Sequence, residues 1–319
     1  MIAIKTDIVE NAIKTFKDEL KNQQANALTE LNNLRRNLPK RISPNVQDYL
    51  NKIIHLFSTE NIITGNASFL ENEKNNIGKV PMFKRKNFNF KDEILKCLGY
   101  THLRSSFYPQ YFMKIGIKAC VYCNSQLTVS LEKGKDKASA KFQIDHYHSK
   151  SDYPFLSISL YNLYPVCASC NQAKSKNTVQ FRLYEDIIKP SKYQFELETG
   201  CVAKYLSSKD KDINEINFTF IDPDKPTKKI VEYSFQDKFD IQGIYDSQKD
   251  IIEEMIVKAQ IYTDSYKLQL INSFPKLFSK HGLSNRFFLG NYADPEDIHK
   301  RPMAKFMQDI ARSKELKLL

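Results

Sequence analysis

Residues 120–176 read CVYCNSQLTVSLEKGKDKASAKFQIDHYHSKSDYPFLSISLYNLYPVCASCNQAKSK. The stretch begins with one Cys-x-x-Cys pair, Cys120/Cys123, and nears its end with a second, Cys167/Cys170. A two-residue gap lets both sulfurs of a pair reach one tetrahedral ion, so two such pairs predict Zn2+ held by four thiolates. Four sulfurs leave no open coordination position, which makes the predicted site structural. Such a site ties the start of the segment to its end and holds what lies between in register. Between the pairs stand Asp145-His146 and Asn162, and Asn171 directly follows Cys170.

The order Cys-x-x-Cys, Asp-His, Asn-Leu, Cys-x-x-Cys-Asn-x-x-Lys resembles the HNH endonuclease family, also called the ββα-metal nucleases. The likeness covers about one fifth of the chain and joins two signatures, zinc and active site, in one interleaved order. It implies an α+β fold with a ββα-metal core stapled by the four-cysteine zinc site. It implies that Asp145 ligates a divalent metal and that His146 is the general base. By the same resemblance Asn162 holds the imidazole in its working orientation and Asn171 is a second metal ligand. Many members carry His at the first or last position. Asp and Asn offer hard oxygen instead, which favours Mg2+ or Mn2+ over zinc at the catalytic site. Lys174 matches a basic residue one turn after the last position, and with Lys176 and Lys141 it is expected to contact nucleic acid.

The chemistry can also be argued from the residues. Phosphodiester hydrolysis needs a deprotonated water and a cation on the developing charge. A neutral imidazole, with an ordinary pKa near 6.5, accepts a proton from water at neutral pH. One metal held by Asp145 and Asn171 would neutralise phosphate charge and bind the leaving oxygen. Adjacent strand residues point to opposite faces, so Asp145 and His146 at a strand end flank one phosphate from two sides. Residues 141–144 alternate polar and apolar and lead into Asp145 as a strand, 163–166 form a second strand, and 168–175 open a helix. Residues 127–131 and 141–144 are read as a hairpin whose tip carries Lys133, Lys135 and Lys137. His148 reads as a solvated loop histidine. A zinc ribbon without activity, used only for binding or as a scaffold, would show the same four cysteines.

The chain has 319 residues, 41% of them hydrophobic, which suffices for two or three compact units. Its net charge of +11 suits a polyanionic partner, DNA first, with RNA not excluded. There is no apolar run long enough for a membrane span, and the N-terminus lacks the apolar core of a signal peptide. Six cysteines, four of them in zinc-type pairs, fit a reducing cytoplasm. Cys97 and Cys201 read as ordinary thiols. The Walker-type phosphate loop is absent, so any energy-dependent control comes from a partner. The surroundings Tyr153-Pro154 and Tyr161-Asn162-Leu163 are similar to HNH proteins of bacterial anti-phage loci such as the Septu type. That likeness implies an ATPase or sensor subunit of the same defence operon as partner; a stand-alone restriction-like enzyme is the alternative.

Outside this stretch the pattern predicts three regions: a mainly helical 1–118, the nuclease core 119–180, and a small sheet followed by helices over 181–319. Apolar residues from Val9 to Leu38 predict one long helix over 7–38, with Asp7 and Glu10 as a capping box and Pro39 as the stop. A second helix covers 45–57, and the polar 64–80 is a loop. Lys84-Arg85-Lys86 with Phe83, Phe88 and Phe90 either stacks on bases or forms one face of a buried strand. Strands are expected at 193–197, 202–206, 215–220 and 230–235. A long helix is expected from Ser247 to near Pro275, and a last one over 302–316 with Arg301 and Lys305 outside.

Overall fold

The computed structural model describes residues 1–134, 137–185, 191–224, 233–280 and 282–319. Lys135 of the predicted hairpin tip and residues 230–232 of the last predicted strand lie outside them.

The N-terminal region is helical: α1 Thr6–Thr15, α2 Lys17–Arg36, α3 Pro44–Thr59 and α4 Ala67–Ile77. The single helix expected over 7–38 is two. The chain leaves helical geometry at Phe16 (φ −104°, ψ 21°), which packs edge-on against Phe107 at 5.2 Å. The break lets α1 pack on one partner and α2 on two others, which one straight stripe does not allow. The capping box does not form: Lys5 occupies the N-cap and no side chain caps α1. The predicted loop 64–80 contains α4. Asn66 caps it by accepting from the Phe69 amide at 2.8 Å, and Gly78, at φ 79°, ends it. Only Leu70 of α4 is buried, too thin a stripe to register as periodicity.

A short hairpin, β1 Lys84–Arg85 with β2 Phe88–Asn89, leads into α5 Phe90–Cys97, α6 Tyr100–Ser106 and α7 Tyr108–Ile115. Phe90 is buried at the start of α5, while Phe83 and Phe88 pack on each other edge-to-face at 5.9 Å. Next come β3 Val129–Glu132, β4 Ala138–Lys141, β5 Gln143–His146, β6 Leu163–Val166 and α8 Ala168–Lys174. β3 pairs with β4, and β5 pairs antiparallel with β6, setting Asp145 opposite Tyr164 and His146 opposite Leu163. The strand expected over 141–144 is therefore divided. Lys141 ends the hairpin, and the Asp-His strand begins after a bend at Phe142, which seats against Phe112 at 5.4 Å.

The C-terminal region holds β7 Gln194–Leu197, α9 Cys201–Ser207, β8 Phe218–Ile221, α10 Phe235–Phe239, α11 Ile241–Asp246, α12 Lys249–Ile261, α13 Asp264–Ser273, α14 Leu283–Leu289 and α15 Ala304–Ala311. Among the described residues its sheet is the β7–β8 pair. The strand expected at 202–206 is helix α9: Gly200 takes a left-handed φ of 80°, and Cys201, Val202 and Tyr205 bury one helical face. Phe235 opens a helix because Ser234 caps it, accepting from the Asp237 amide at 3.0 Å. Likewise Thr263 caps α13 and interrupts the long helix expected from Ser247. Lys305, expected outside, is buried and paired with Asp309 one turn on. Arg301 is exposed, as expected.

One continuous hydrophobic core joins all three regions, from Val9 and Leu31 through Leu163 and Val166 to Phe306 and Ile310. The Asp-His strand thus sits on a scaffold to which both flanks contribute. The architecture is mixed α+β, helices around small two-stranded antiparallel sheets.

Candidate active site and four-cysteine metal centre

The sulfurs of Cys120, Cys123, Cys167 and Cys170 all lie within 4.8 Å of one another. A tetrahedral zinc with bonds of about 2.3 Å sets its sulfurs about 3.8 Å apart; Cys123 and Cys167 stand at 3.9 Å. The donor set fits a structural zinc.

Local turns build this cluster. The Asn124 amide donates to the Cys120 carbonyl at 2.8 Å, and Asn124 takes a left-handed φ of 54°, which Asn tolerates. Cys167 is the N-cap of α8, so Cys170 falls one turn later on the same side. The first knuckle is pinned to distant chain. Asn124 donates to the Ile298 carbonyl at 2.8 Å and accepts from the Lys305 amide at 3.0 Å, while Tyr245 donates to the Cys123 carbonyl at 2.8 Å. Crowding sets the thiol protonation. Hydrogen bonds from the other three hold Cys167 down, and a bond to Cys120 brings Cys123 to about 7. Burial pushes Cys120 up, and its three neighbours push Cys170 up. A divalent cation would replace the protons these two retain.

Asp145 and His146 are both buried at the end of β5. They line an open cleft of about 320 Å³ together with Ser149, Lys150, Asn171 and Lys176. The His146 Nε2 lies 3.1 Å from the Ser157 carbonyl oxygen. A carbonyl only accepts, so this nitrogen carries the proton and Nδ1 keeps its lone pair. Burial, then the charge of Lys150, lowers the His146 pKa to about 3, so the ring is neutral at physiological pH. Tyr100 packs against the imidazole with ring centroids 5.1 Å apart.

Asn162 does not touch the imidazole. Fully buried, it accepts from the His148 amide at 2.7 Å and donates to the carbonyls of His148 and Leu156 at 3.1 and 3.0 Å. It closes the loop that presents Ser157, so its hold on His146 is indirect. Asn171 lines the cleft and donates to Gln143 Oε1 at 2.6 Å.

Lys174 overturns its expected role. It is wholly buried, not a surface contact for nucleic acid. Its ammonium lies 2.9 and 3.2 Å from the two Asp145 oxygens and donates to the His146 carbonyl at 2.8 Å. Tyr122, inside the first cysteine pair, donates to Asp145 Oδ2 at 2.6 Å. A carboxylate offers about four lone-pair sites. Three are engaged, so one remains through which Asp145 would hold a hard divalent cation, and Asn171 lines the same cleft. Lys176 and Lys141 are exposed; Lys176 lines the cleft, whereas Lys141 ends β4.

His148 is not solvated. It is buried, 3.5 Å from Glu71 Oε2, and burial lowers its pKa to about 4. His299 is buried and bonded to the Ile2 carbonyl at 2.8 Å, and burial lowers it likewise to about 4. Unfolded histidine titrates near 6.5. A folded pKa below the unfolded one gives stability that is present above about 6.5 and lost as pH falls toward 4. Each ring contributes about 3 kcal/mol to that loss. Histidine proton resonances followed against pH should show both midpoints well below 6.5; midpoints near 6.5 would mean the rings are solvated.

The sequence reading missed Tyr122, Lys150, Tyr100 and Ser157. Tyr122 lies between two zinc-pair cysteines and Lys150 four residues after His146, positions that gave a weak signal. Tyr100 is far away in sequence, and Ser157 acts through its backbone, so neither gave any.

The family model described as HNH endonuclease matches residues 120–177. Those residues form an HNH domain, which indicates a nuclease, within a longer chain. No curated protein and no solved structure matches the chain. Among the described residues no helix is long and apolar enough to cross a membrane.

Proposed function

We propose that this protein is a metal-dependent endonuclease that hydrolyses phosphodiester bonds of DNA, built on a ββα-metal unit formed by β5, β6 and α8. The observation that carries the reading is the placing of His146: its imidazole lines the cleft beside Asp145 and Asn171, with Nε2–H held by the Ser157 carbonyl and the lone pair left on Nδ1. In this reading Nδ1 takes the proton of the attacking water. Asp145 and Asn171 hold Mg2+ or Mn2+, which when bound supplies positive charge to the phosphate and its leaving oxygen. Lys174 and Tyr122 fix the Asp145 carboxylate, and Asn162 fixes the loop behind the imidazole. The local likeness of 153–163 to HNH proteins of anti-phage loci supports a role as the effector nuclease of a bacterial defence or restriction system. It would work in the cytoplasm beside an ATPase or sensor subunit.

One observation favours a second reading, a zinc-stabilised nucleic-acid-binding scaffold. The Asp145 charge is already matched by the Lys174 ammonium. Plasmid incubated with Mg2+ or Mn2+ separates the two. Metal-dependent nicking is expected, and His146→Ala should reduce it by about 10²–10⁴-fold, the usual worth of a general base, while leaving DNA binding unchanged. Absence of nicking by the wild type with either metal would favour the scaffold. Loss of binding that parallels loss of cleavage would refute the base role.

A further inference from the structure

Cations crowd the His146 side of the cleft. Lys150 lines it, is half-buried, and sits with its ammonium 4.3 Å from the centre of the Tyr100 ring, the ring that also packs on His146. Arg104 lies one turn beyond Tyr100 on α6, on the same helical face. Lys176, after α8, lines the same cleft. Among the described residues neither Lys150, Arg104 nor Lys176 forms an ion pair with a carboxylate, and the Asp145 charge is already matched by Lys174. Burial, then the charges of Arg104 and Lys91, lowers the Lys150 pKa. A partly desolvated ammonium held beside further cations, with no acid of its own, is a place where an anion is wanted.

We propose that Lys150 and Arg104, with Lys176 on the same cleft, form a phosphate clamp for the nucleic-acid strand entering the site. The clamp is split between two parts of the chain, because Arg104 lies outside the segment matched as HNH. The helical N-terminal region thereby becomes half of the substrate groove. The proposal rests on the nuclease reading, since it supplies the phosphate-holding part of that reaction.

The test measures binding of a fluorescein-labelled DNA duplex by anisotropy, over a range of KCl, in the full chain carrying His146→Ala and without added divalent metal. Each phosphate contact removed should lower the slope of log K against log salt by about 0.9. Lys150→Gln and Arg104→Gln should each do so and add in the double variant, whereas Lys150→Arg should restore the slope. Lys14→Gln, on α1 and not lining the cleft, should leave it unchanged. Melting temperature checks that each variant is folded. Unaltered slopes in folded Lys150→Gln and Arg104→Gln, with the parent binding normally, would overturn the clamp and leave the nuclease reading standing. Failure of the parent to bind duplex, together with failure of the wild type to cut, would overturn both.

Discussion

Replacing any one of Cys120, Cys123, Cys167 or Cys170 by Ser should leave the whole chain unable to hold its fold. Structural zinc supplies about 10 kcal/mol or more in small sites, and a folded protein has a total margin of about 5–15 kcal/mol. The cluster joins residue 120 to residue 170, and its first knuckle is bonded to Ile298 and Lys305 and receives the Tyr245 hydroxyl. Losing it frees both ends of the HNH segment and loosens the C-terminal region. It also releases Tyr122, whose hydroxyl reaches Asp145 from inside the first cysteine pair, so the Asp145 carboxylate loses a support. Metal analysis of the wild type should find about one tightly held zinc per chain, and thermal melting of Cys167→Ser should show early, non-cooperative loss of structure. A variant with wild-type melting and full zinc content would mean the thiols do not hold a metal.

How legible this was depends on whether the information is local. The four cysteines could be read because ligand spacing is a local constraint, and they do converge. The helix after Cys167 and the strand into Asp145 could be read because period is local too, although the bend at Phe142 that divides the strand could not. The small sheet could be read only in part: the strands expected at 193–197 and 215–220 overlap the paired β7 and β8, but the one expected at 202–206 does not exist. Val202–Leu206 alternates like a strand, but Gly200 turns the chain into a helix that buries Val202 and Tyr205 on one side. α4 was hidden by its polarity, since a capped helix with one buried residue leaves almost no hydrophobic trace. In the site, residue types were legible and their partners were not. Sequence places Asn162 at the imidazole, yet its amide closes a backbone loop, and it places His148 in solvent, yet the ring is packed near Glu71. Each depends on what the rest of the fold puts beside it, as does the placing of Arg104 near a cleft that begins some forty residues later in the chain.

Lys174 is where that difference has the largest consequence. Its position one turn after Asn171 reads as a phosphate contact, but its ammonium is wholly buried between Asp145 and the His146 carbonyl. Lys174→Met keeps the aliphatic volume and removes the charge. It leaves the Asp145 carboxylate buried with only the Tyr122 hydroxyl in place, and breaking a buried pair on one side costs about 3–5 kcal/mol. Lys174→Met should therefore melt well below the wild type, and denaturant titration should show a loss of that size. Lys174→Met combined with Asp145→Asn removes both charges while keeping an acceptor for Tyr122. It should recover a large part of the loss, because the penalty comes from the stranded charge and not from the absent ammonium. The two changes must then be strongly non-additive, as residues in direct contact are. A lysine serving only to touch DNA would behave in the opposite way. Lys174→Met would melt like the wild type, duplex binding would lose about 0.9 of its salt slope, and Asp145→Asn would neither rescue nor worsen it. Additive stabilities in the double variant would show that Lys174 and Asp145 do not form the buried pair on which the arrangement of this site depends.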